Sequence, residues 1–457
     1  MPNLETNLLD AVQRAGGSLY LVGGAVRDAL LGRGGKDADY LVTGVALERL
    51  TSSLEPLMRV DLVGASFGVL KVTLEGETVD VALPRTERST GAHHREFAVT
   101  SDPSLPIEAD LARRDFTVNA IAKNVATGNL VDPFGGLADL ENRVLRAVGD
   151  PIDRFTEDPL RMLRLARFVA KLGFTVEPAT LEATRELAHL VGTVAPERIQ
   201  WELRGLLESP FPDGILTALR LLRDTGLLTV ILPEFAPCIG YDQRNPHHHL
   251  TLEEHIFQAV MHGAENNASS LARLALLLHD LGKPATQEID ERGVAHYIHH
   301  EARGAEVARG ILERLRFSSE WTHSVVALVA NHMRPPRDAS SRALRRFKRD
   351  LGALWRDALE VRLADRLAHV LHGEQPLEDF KRLSAELEAL PVALEGFEER
   401  DLALSGGELM QLLDLPPGPM VGQWKRRAAQ AVVDGELEND PAAILAWVRA
   451  ARGAEQS

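Results

Sequence analysis

Near Pro151 the chain changes its apolar period, and that change limits the folds open to it more than any single motif. Before it, short apolar runs at 18–22, 40–43, 68–74 and 78–83 alternate with turns. Runs of this length bounded by glycine and polar residues predict strands, so residues 1–150 are expected to form an α+β domain. After Pro151, apolar residues recur at helical spacing to the end, which predicts an all-α remainder without clear strands. At 457 residues the chain exceeds one compact core, and roughly two to four domains are expected. Breaks at 233–249 and 335–341, and a turn LPPGP at 415–419, divide the helical part. The expected parts are a head, 1–150; a helical neck and body, 151–235; a helical domain, 250–372; and a helical tail, 383–457. No internal repeat of fixed period interrupts this order.

Composition narrows the class. No apolar run is long enough to span a bilayer, and the start MPNLETNLLDAVQ lacks the basic and apolar regions of a signal peptide. A single cysteine, Cys238, excludes an internal disulfide framework and fits a reducing compartment. The expectation is a soluble, cytoplasmic protein with no membrane partner. A formal net charge of −15 argues against a general nucleic-acid coat, although local basic stripes still permit RNA binding. Two stripes stand out. Arg161, Arg164 and Arg167 recur every third residue, and SRALRRFKR spans 341–349. Either could track phosphates; a solvated helix face is the default for the second.

The richest stretch is 21–42, LVGGAVRDALLGRGGKDADYLV. Gly23 and Gly24 follow a strand-like run and precede a helix, so backbone N–H groups and the helix N-terminus can approach an anion together. Arg27, about one turn on, could fork two phosphate oxygens. Asp37 and Asp39, two apart before an apolar run, share a strand face and could hold Mg²⁺ together. Taken singly, a GG is usually a turn and a DxD usually solvated surface. Asp80, within the run 78–83, could serve as a third carboxylate, either base or extra metal ligand; a solvent-facing edge residue would read the same. Further on, LARRDFTVNA sets Arg113, Arg114, Asp115 and Asn119 to face a nucleotide from a helix start, Asp115 accepting from a ribose hydroxyl and Arg114 binding phosphate. In RFTEDPLRMLRLARF, Asp158 before Pro159 opens a helix that carries Arg161 and Arg164 on one face. A carboxylate and a guanidinium held side by side can read a base edge, whereas an ordinary surface salt bridge is the plain alternative. The segment 91–106, polar and aperiodic, reads as a mobile loop.

GGxVRD followed by DxD resembles the signature of polymerase-beta-like nucleotidyltransferases, in the branch of tRNA CCA-adding enzymes and bacterial poly(A) polymerases. The run GASFGVLKVTLEGETVDVALPRTER, ending in Arg85 and Arg88, resembles the family's second motif; DLARRDFTVNA resembles its third, and EDPLR its EDxxR motif. PERIQWELRGLLES resembles the fifth, a packing and positioning helix, and DLALSGGELMQLLDLPPGPMVGQW resembles the tRNA-binding tail. The resemblance implies a class II tRNA nucleotidyltransferase that acts on the tRNA 3′ end with CTP, ATP and Mg²⁺. It implies that Asp158 and Arg161 select CTP or ATP without a template. A loop such as 91–106 is, in the family, what permits the switch from C to A addition. Complete CCA addition is therefore favoured over CC-only addition, with A-only addition still open.

A second constellation lies in the helical part. LARLALLLHDLGK places His279 and Asp280 in an apolar helix closed by Gly282 and Lys283, and a buried His–Asp pair is costly unless bonded or metal-bound. With His255 upstream and Asp365 downstream, the spacing resembles the HD phosphohydrolase superfamily, whose four residues hold a divalent metal. His300 and His332 match extra histidines that some members use for a second metal. The ligand types suit Mn, Fe, Ni, Zn or Mg. The resemblance implies a second activity on 2′,3′-cyclic phosphates or 2′-phosphates at RNA ends. The competing readings are a purely structural metal, and phosphohydrolysis as the main activity with the head reduced to a binding module. The triplet 247–249, HHH, reads as a surface loop, and an RNA-chaperone reading has little support in the charge balance.

Overall fold

The computed structural model describes residues 3–34, 38–63, 69–89, 97–245, 249–335, 339–369 and 375–456. The chain forms two compact units, Met1–Glu202 with Thr217–Ile231, and Leu203–Leu216 with Leu232–Ser457.

The first unit begins α1 (Leu4–Ala15), β1 (Ser18–Val22), α2 (Gly24–Leu30), β2 (Asp39–Thr43), α3 (Leu47–Leu54), β3 (Arg59–Val63), β4 (Val69–Leu74) and β5 (Glu77–Ala82). A hairpin of β6 (Arg85–Ser89) and β7 (Phe97–Ser101) follows, then α4 (Ile107–Leu111), β8 (Ala122–Asn124) and β9 (Leu130–Val131). Seven strands form one mixed sheet in the order β3-β4-β5-β2-β1-β8-β9. The strand period of two sorts its residues. Leu19, Tyr40, Val42 and Val81 join one core with Leu8, Val12, Leu50 and Leu54 of α1 and α3, while Val22 and Leu41 join another with Leu111 of α4. Asp39 alternates with Tyr40, so it lies on the face opposite α1 and α3.

The expected loop over 91–106 is corrected in part. Phe97–Ser101 is a strand, in register Ser89↔Phe97 to Arg85↔Ser101, as the β-prone string FAVTS allows. Residues 91–96 lie outside the described residues.

The change of period at Pro151 is a helix start. Asp150 accepts from the backbone N–H of Ile152 at 2.8 Å and caps α6 (Pro151–Glu157), which follows α5 (Gly136–Glu141) and β10 (Val144–Leu145). Next come α7 (Leu160–Leu172), β11 (Thr175–Val176), α8 (Pro178–Leu187), α9 (Pro196–Leu207), α10 (Pro212–Asp224) and α11 (Leu227–Ile231).

The second unit holds α12 (Leu252–Glu265), α13 (Ser270–Leu278), β12 (Gln287–Ile289), β13 (Ala295–Tyr297), α14 (His300–Arg314), α15 (Ser319–Asn331), α16 (Ser341–Leu351), α17 (Trp355–His369) and α18 (Gln375–Ala389). It ends with α19 (Gly406–Leu413), α20 (Pro419–Asp434) and α21 (Pro441–Gln456) around a core of Leu409, Trp424, Val433 and Ile444. The expectation of no strands after Pro151 misses β11 to β13. In the β12–β13 hairpin the turn supplies the reason, since Asp290 accepts from the N–H groups of Arg292 and Val294 at 2.9 and 3.0 Å.

The second arginine stripe is partly exposed and tied by ion pairs to α20. Arg342 and Arg346, one turn apart on α16, both grip Asp434 of α20, with Arg346 Nε 2.7 Å from Oδ1. Arg349, on the same face, donates to Gln430 of α20 at 2.8 Å. Cys238 is buried, and burial pushes its thiol pKa up to about 12, which leaves it unreactive. Among the described residues, no helix is long and apolar enough to cross a membrane. Of the triplet HHH, only His249 is described, and it is exposed.

Candidate active sites

In the first unit the sheet brings two carboxylates together. Asp39 pairs in register with Val22 of antiparallel β1 and with Asp80 of parallel β5, and directly paired residues point to one face. Asp80, expected on a neighbouring strand, is therefore beside Asp39. Asp37 lies outside the described residues. Gly23 follows β1 with φ +70°, and a Cβ there would sit 2.4 Å from Arg114 Nη1. Glycine is thus what lets Arg114 reach the end of the strand.

Two cavities meet here. One, about 360 Å³, is lined by Asp39, Asp80, Asp110, Arg113 and Arg114. The other, about 410 Å³, is lined by Gly24, Asp39, Asp158, Lys171 and the arginines 27, 114, 161, 164, 167 and 198. Asp39 and Arg114 belong to both.

The basic cavity is organised by a buried network. Arg27, 2% exposed, donates to Asn119 Oδ1 at 2.5 Å and to Asp28 at 2.8 Å. Asn119 donates to Asp115 at 3.0 Å, and Arg164 grips the same carboxylate with Nε at 2.7 Å and Nη2 at 2.6 Å. The Phe116 N–H adds a further donor at 2.8 Å. Burial opposes charge on Asp115, yet Arg164 outweighs it and holds the carboxyl below its usual range. Two expectations change as a result. Arg27 is committed to Asn119 and Asp28 rather than offering a free fork to phosphate. Asp115 already carries about four donors, its full acceptor capacity, so it positions Arg164 and Asn119 rather than taking a ribose hydroxyl. The string RRD also follows the end of α4 instead of starting a helix.

Asp158 accepts from the N–H of Leu160, the first residue of α7, at 3.2 Å, and from Arg198 at 3.0 Å. Arg161 donates to the Arg113 carbonyl at 2.8 Å. Both line the basic cavity, but they bond to different partners. Arg164, Arg167 and Arg27 stack on Phe168 at 5.0–5.5 Å, and buried Glu202 pairs with Arg167 at 2.5 Å. Sequence reasoning missed Arg198 and Glu202 as site residues. Their signal is the i,i+4 spacing within PERIQWE, which puts both on the cavity face of α9.

The second unit gathers His255, His279, Asp280 and Asp365, and beside them Asp280, His300 and His332, as two groups of potential ligands. His279 caps the end of α13 and Asp280 follows it, rather than both lying within the helix. Asp280 serves both groups: Oδ2 lies 3.2 Å from His279 Nε2, and Oδ1 lies 3.5 Å from His300 Nε2. Nδ1 of His279, His300 and His332 lies 2.6–2.7 Å from the carbonyls of Leu276, Tyr297 and Val329. A carbonyl only accepts, so each Nδ1 carries a proton and each Nε2 is the ligand atom turned inward. His300 Nε2 and His332 Nε2 face each other at 3.2 Å. His279 Nε2, both Asp280 oxygens and Asp365 Oδ1 are buried without hydrogen-bond geometry to any described group. Burial opposes charge on His279, but Asp280 and Asp365 raise its pKa to about 10, a measure of how strongly two buried carboxylates call for positive charge. Donor set, ring orientation and charge all fit a divalent metal.

Gly282 makes this geometry possible. A Cβ there would lie 2.2 Å from the His300 carbonyl oxygen and 2.6 Å from the Gly304 nitrogen. Gly282→Ala is expected to displace α14 from α13, costing roughly 1–3 kcal/mol. It should also weaken metal uptake, both measurable by urea unfolding and by metal analysis of the purified protein. His369, missed in the sequence, stands one turn after Asp365 with its ring 4.4 Å from that of His255.

Family models match residues 19–146 (poly A polymerase head domain), 173–239 ("Probable RNA and SrmB- binding site of polymerase A") and 295–448 ("tRNA nucleotidyltransferase domain 2 putative"). The multifunctional CCA protein of Xanthomonas campestris pv. campestris is 39% identical over 323 residues, 69% of this chain and 75% of that protein. That of Xanthomonas oryzae pv. oryzae is 35% identical over 427 residues, 91% of this chain and 98% of that protein. The chain belongs to the class II CCA-adding enzyme and poly(A) polymerase family. Among solved structures, the Bacillus stearothermophilus CCA-adding enzyme in complex with CTP matches with a TM-score of 0.75 and 27% identity, covering 99% of this chain and 98% of that one. The Thermotoga maritima CCA-adding enzyme complexed with tRNA shares the fold, with a TM-score of 0.57 and 21% identity over 98% of this chain and 95% of that one. A nucleotidyltransferase head with a mixed sheet followed by a helical body, as expected from the sequence, is the family's architecture.

Proposed function

We propose that the chain adds C and A nucleotides to the 3′ end of tRNA, using CTP and ATP. One observation carries the reading: Asp39 and Arg114 stand where a carboxylate-lined cavity meets an arginine-lined one. An anionic triphosphate belongs in the second, and an attacking hydroxyl beside the first. Relatives named multifunctional CCA proteins, and the fold of a CTP-bound CCA-adding enzyme, support it.

In this reading Asp37 and Asp39 hold Mg²⁺ and Asp80 takes the hydroxyl proton or adds a ligand. When bound, the metal would favour the ionised hydroxyl and neutralise charge at the α-phosphate. Gly24 and Arg114 hold phosphate oxygens, Arg114 Nε being buried without an acceptor among the described residues. Arg27, Asn119, Asp115 and Arg164 form the rigid wall behind them. Asp158 and Arg161 choose the base, Asp158 exchanging its Arg198 partner for the base edge. Asp158→Ala is expected to loosen selectivity roughly tenfold, the worth of one good bidentate base contact. Misincorporation of UTP and GTP against CTP measures it, and unchanged discrimination would remove Asp158 from base choice.

The deciding assay offers tRNAs ending at the discriminator base, at C and at CC, with CTP and ATP singly and together. Completion of all three to CCA is expected. Arrest at CC, or extension of the CC-ended tRNA alone, would assign a partial activity instead.

A second reading applies to the second unit, on the strength of its converging imidazole Nε2 atoms. We assign residues 250–372 as an HD phosphohydrolase domain acting on 2′,3′-cyclic phosphates or 2′-phosphates at RNA ends. Residues 1–150, 151–235 and 383–457 then serve as catalytic head, nucleotide-selecting neck and tRNA-binding tail. The centre would hold one divalent metal on His255, His279, Asp280 and Asp365, with His300 and His332 beside Asp280 for another. When bound, such ions supply Lewis acidity and a water nucleophile at neutral pH.

A further inference from the structure

The cavity over the second centre, about 430 Å³, is lined by Asp280, His300, His332, Asp365 and His369 on the metal side. Three cations also line it, Lys283, Arg362 and Arg366. Lys283 Nζ is taken up by Asp280 Oδ2 at 2.7 Å and Gln243 Oε1 at 2.9 Å. Arg366 donates to Asp379 at 2.8 Å. Arg362 differs: it is only 9% exposed, yet makes no hydrogen bond or ion pair among the described residues. Of its neighbouring carboxylates, Asp379 is paired with Arg366, and Asp365 turns Oδ1 to the metal-side histidines, 3.1 Å from His255 and 3.4 Å from His279.

A largely buried guanidinium whose nearest carboxylates, Asp379 and Asp365, also face other groups can take a further negative charge, and an arriving anion supplies it. Burial and the adjacent Arg366 weaken Arg362's hold on its proton more than Asp379 and Asp365 strengthen it. Arg362, Asp365, Arg366 and His369 sit at i, i+3, i+4 and i+7 of α17, so one helix face carries the guanidinium and the metal-side groups together. At the mouth stand Ile298 and Met333, 59% and 56% exposed, large apolar side chains that line the same cavity.

We propose that Arg362 is the anion anchor of this centre, binding a phosphate oxygen of a nucleotide phosphate ester whose nucleoside lies against Ile298 and Met333. The proposal rests on the phosphohydrolase reading of the second unit. It adds a substrate-binding residue and a polarity: phosphate toward Arg362 and the metal-side groups, nucleoside toward the rim.

The test uses the full chain loaded with Mn²⁺. Inorganic phosphate binding is measured by calorimetry, manganese content by metal analysis, and 2′,3′-cyclic AMP hydrolysis by steady-state kinetics. Arg362→Met should weaken phosphate binding about tenfold or more, as loss of a charge-assisted fork requires, and raise KM for 2′,3′-cyclic AMP. Manganese content and C addition to tRNA should stay at the unaltered level. Arg362→Lys should recover part of the loss, and Met333→Ser should raise KM without changing phosphate affinity. Unaltered phosphate affinity in Arg362→Met overturns the proposal, and so does loss of manganese with the arginine, which would make it a support for Asp365. An unaltered chain that takes up manganese but binds no phosphate also overturns it. A chain that takes up no manganese overturns the phosphohydrolase reading itself, and the anchor with it.

Discussion

Asp39→Ala is expected to abolish nucleotide addition, lowering kcat by at least about a thousandfold, the equivalent of about 4 kcal/mol of transition-state stabilisation. Its carboxylate borders both cavities and lies in register with Asp80, so no neighbouring group can replace it at the junction. The residue is exposed at the start of β2, whereas the strand is held by Tyr40, Leu41 and Val42 in the cores beneath. Folding should therefore survive, and with it tRNA affinity, which the proposed function assigns to the helical tail. Primer extension with CTP, beside a tRNA-binding measurement on the same preparation, checks both halves. Full addition by this variant, or by Asp37→Ala, would refute the metal assignment in the head.

Asp280→Ala should have the opposite pattern, with phosphohydrolysis lost by at least about a thousandfold and nucleotide addition retained. Asp280 is 1% exposed and is shared by both ligand groups, so one substitution dismantles both. Its removal also leaves Lys283 buried without its carboxylate, and that instability could mimic a chemical effect. Asp280→Asn keeps the shape and halves the problem, and addition of C by the same preparation reports whether the protein is folded. Should metal-supplemented unaltered protein cleave no cyclic phosphate, the centre would be structural.

Much of this was legible because the relevant signals are local. The glycine pair, the alternation along β2 and β5, and the cap at Asp150 each follow from a few adjacent residues and the period of one element. Asp39 and Asp80 could be nominated separately from strand alternation, and His255, His279, Asp280 and Asp365 from their resemblance to the HD pattern. The misses share a cause. Arg27 and Asp115 were assigned to ligand because each looked free in its own segment. Their partners, Asn119 for one and Arg164 for the other, lie 92 and 49 residues away. The partner of the stripe at 341–349 was hidden for the same reason, because Asp434 is 88 residues distant from Arg346. Arg362 was passed over because a single arginine in a helix says nothing until the groups around it are seen.

The opening change of period at Pro151 determined the order of an α+β head and a helical remainder, since it reports the repeat of the backbone itself. Which charged groups face ligand and which face each other was decided by tertiary structure alone. A guanidinium is spent by whichever carboxylate the fold brings within about 3 Å, and that distance carries no trace in the separation along the chain.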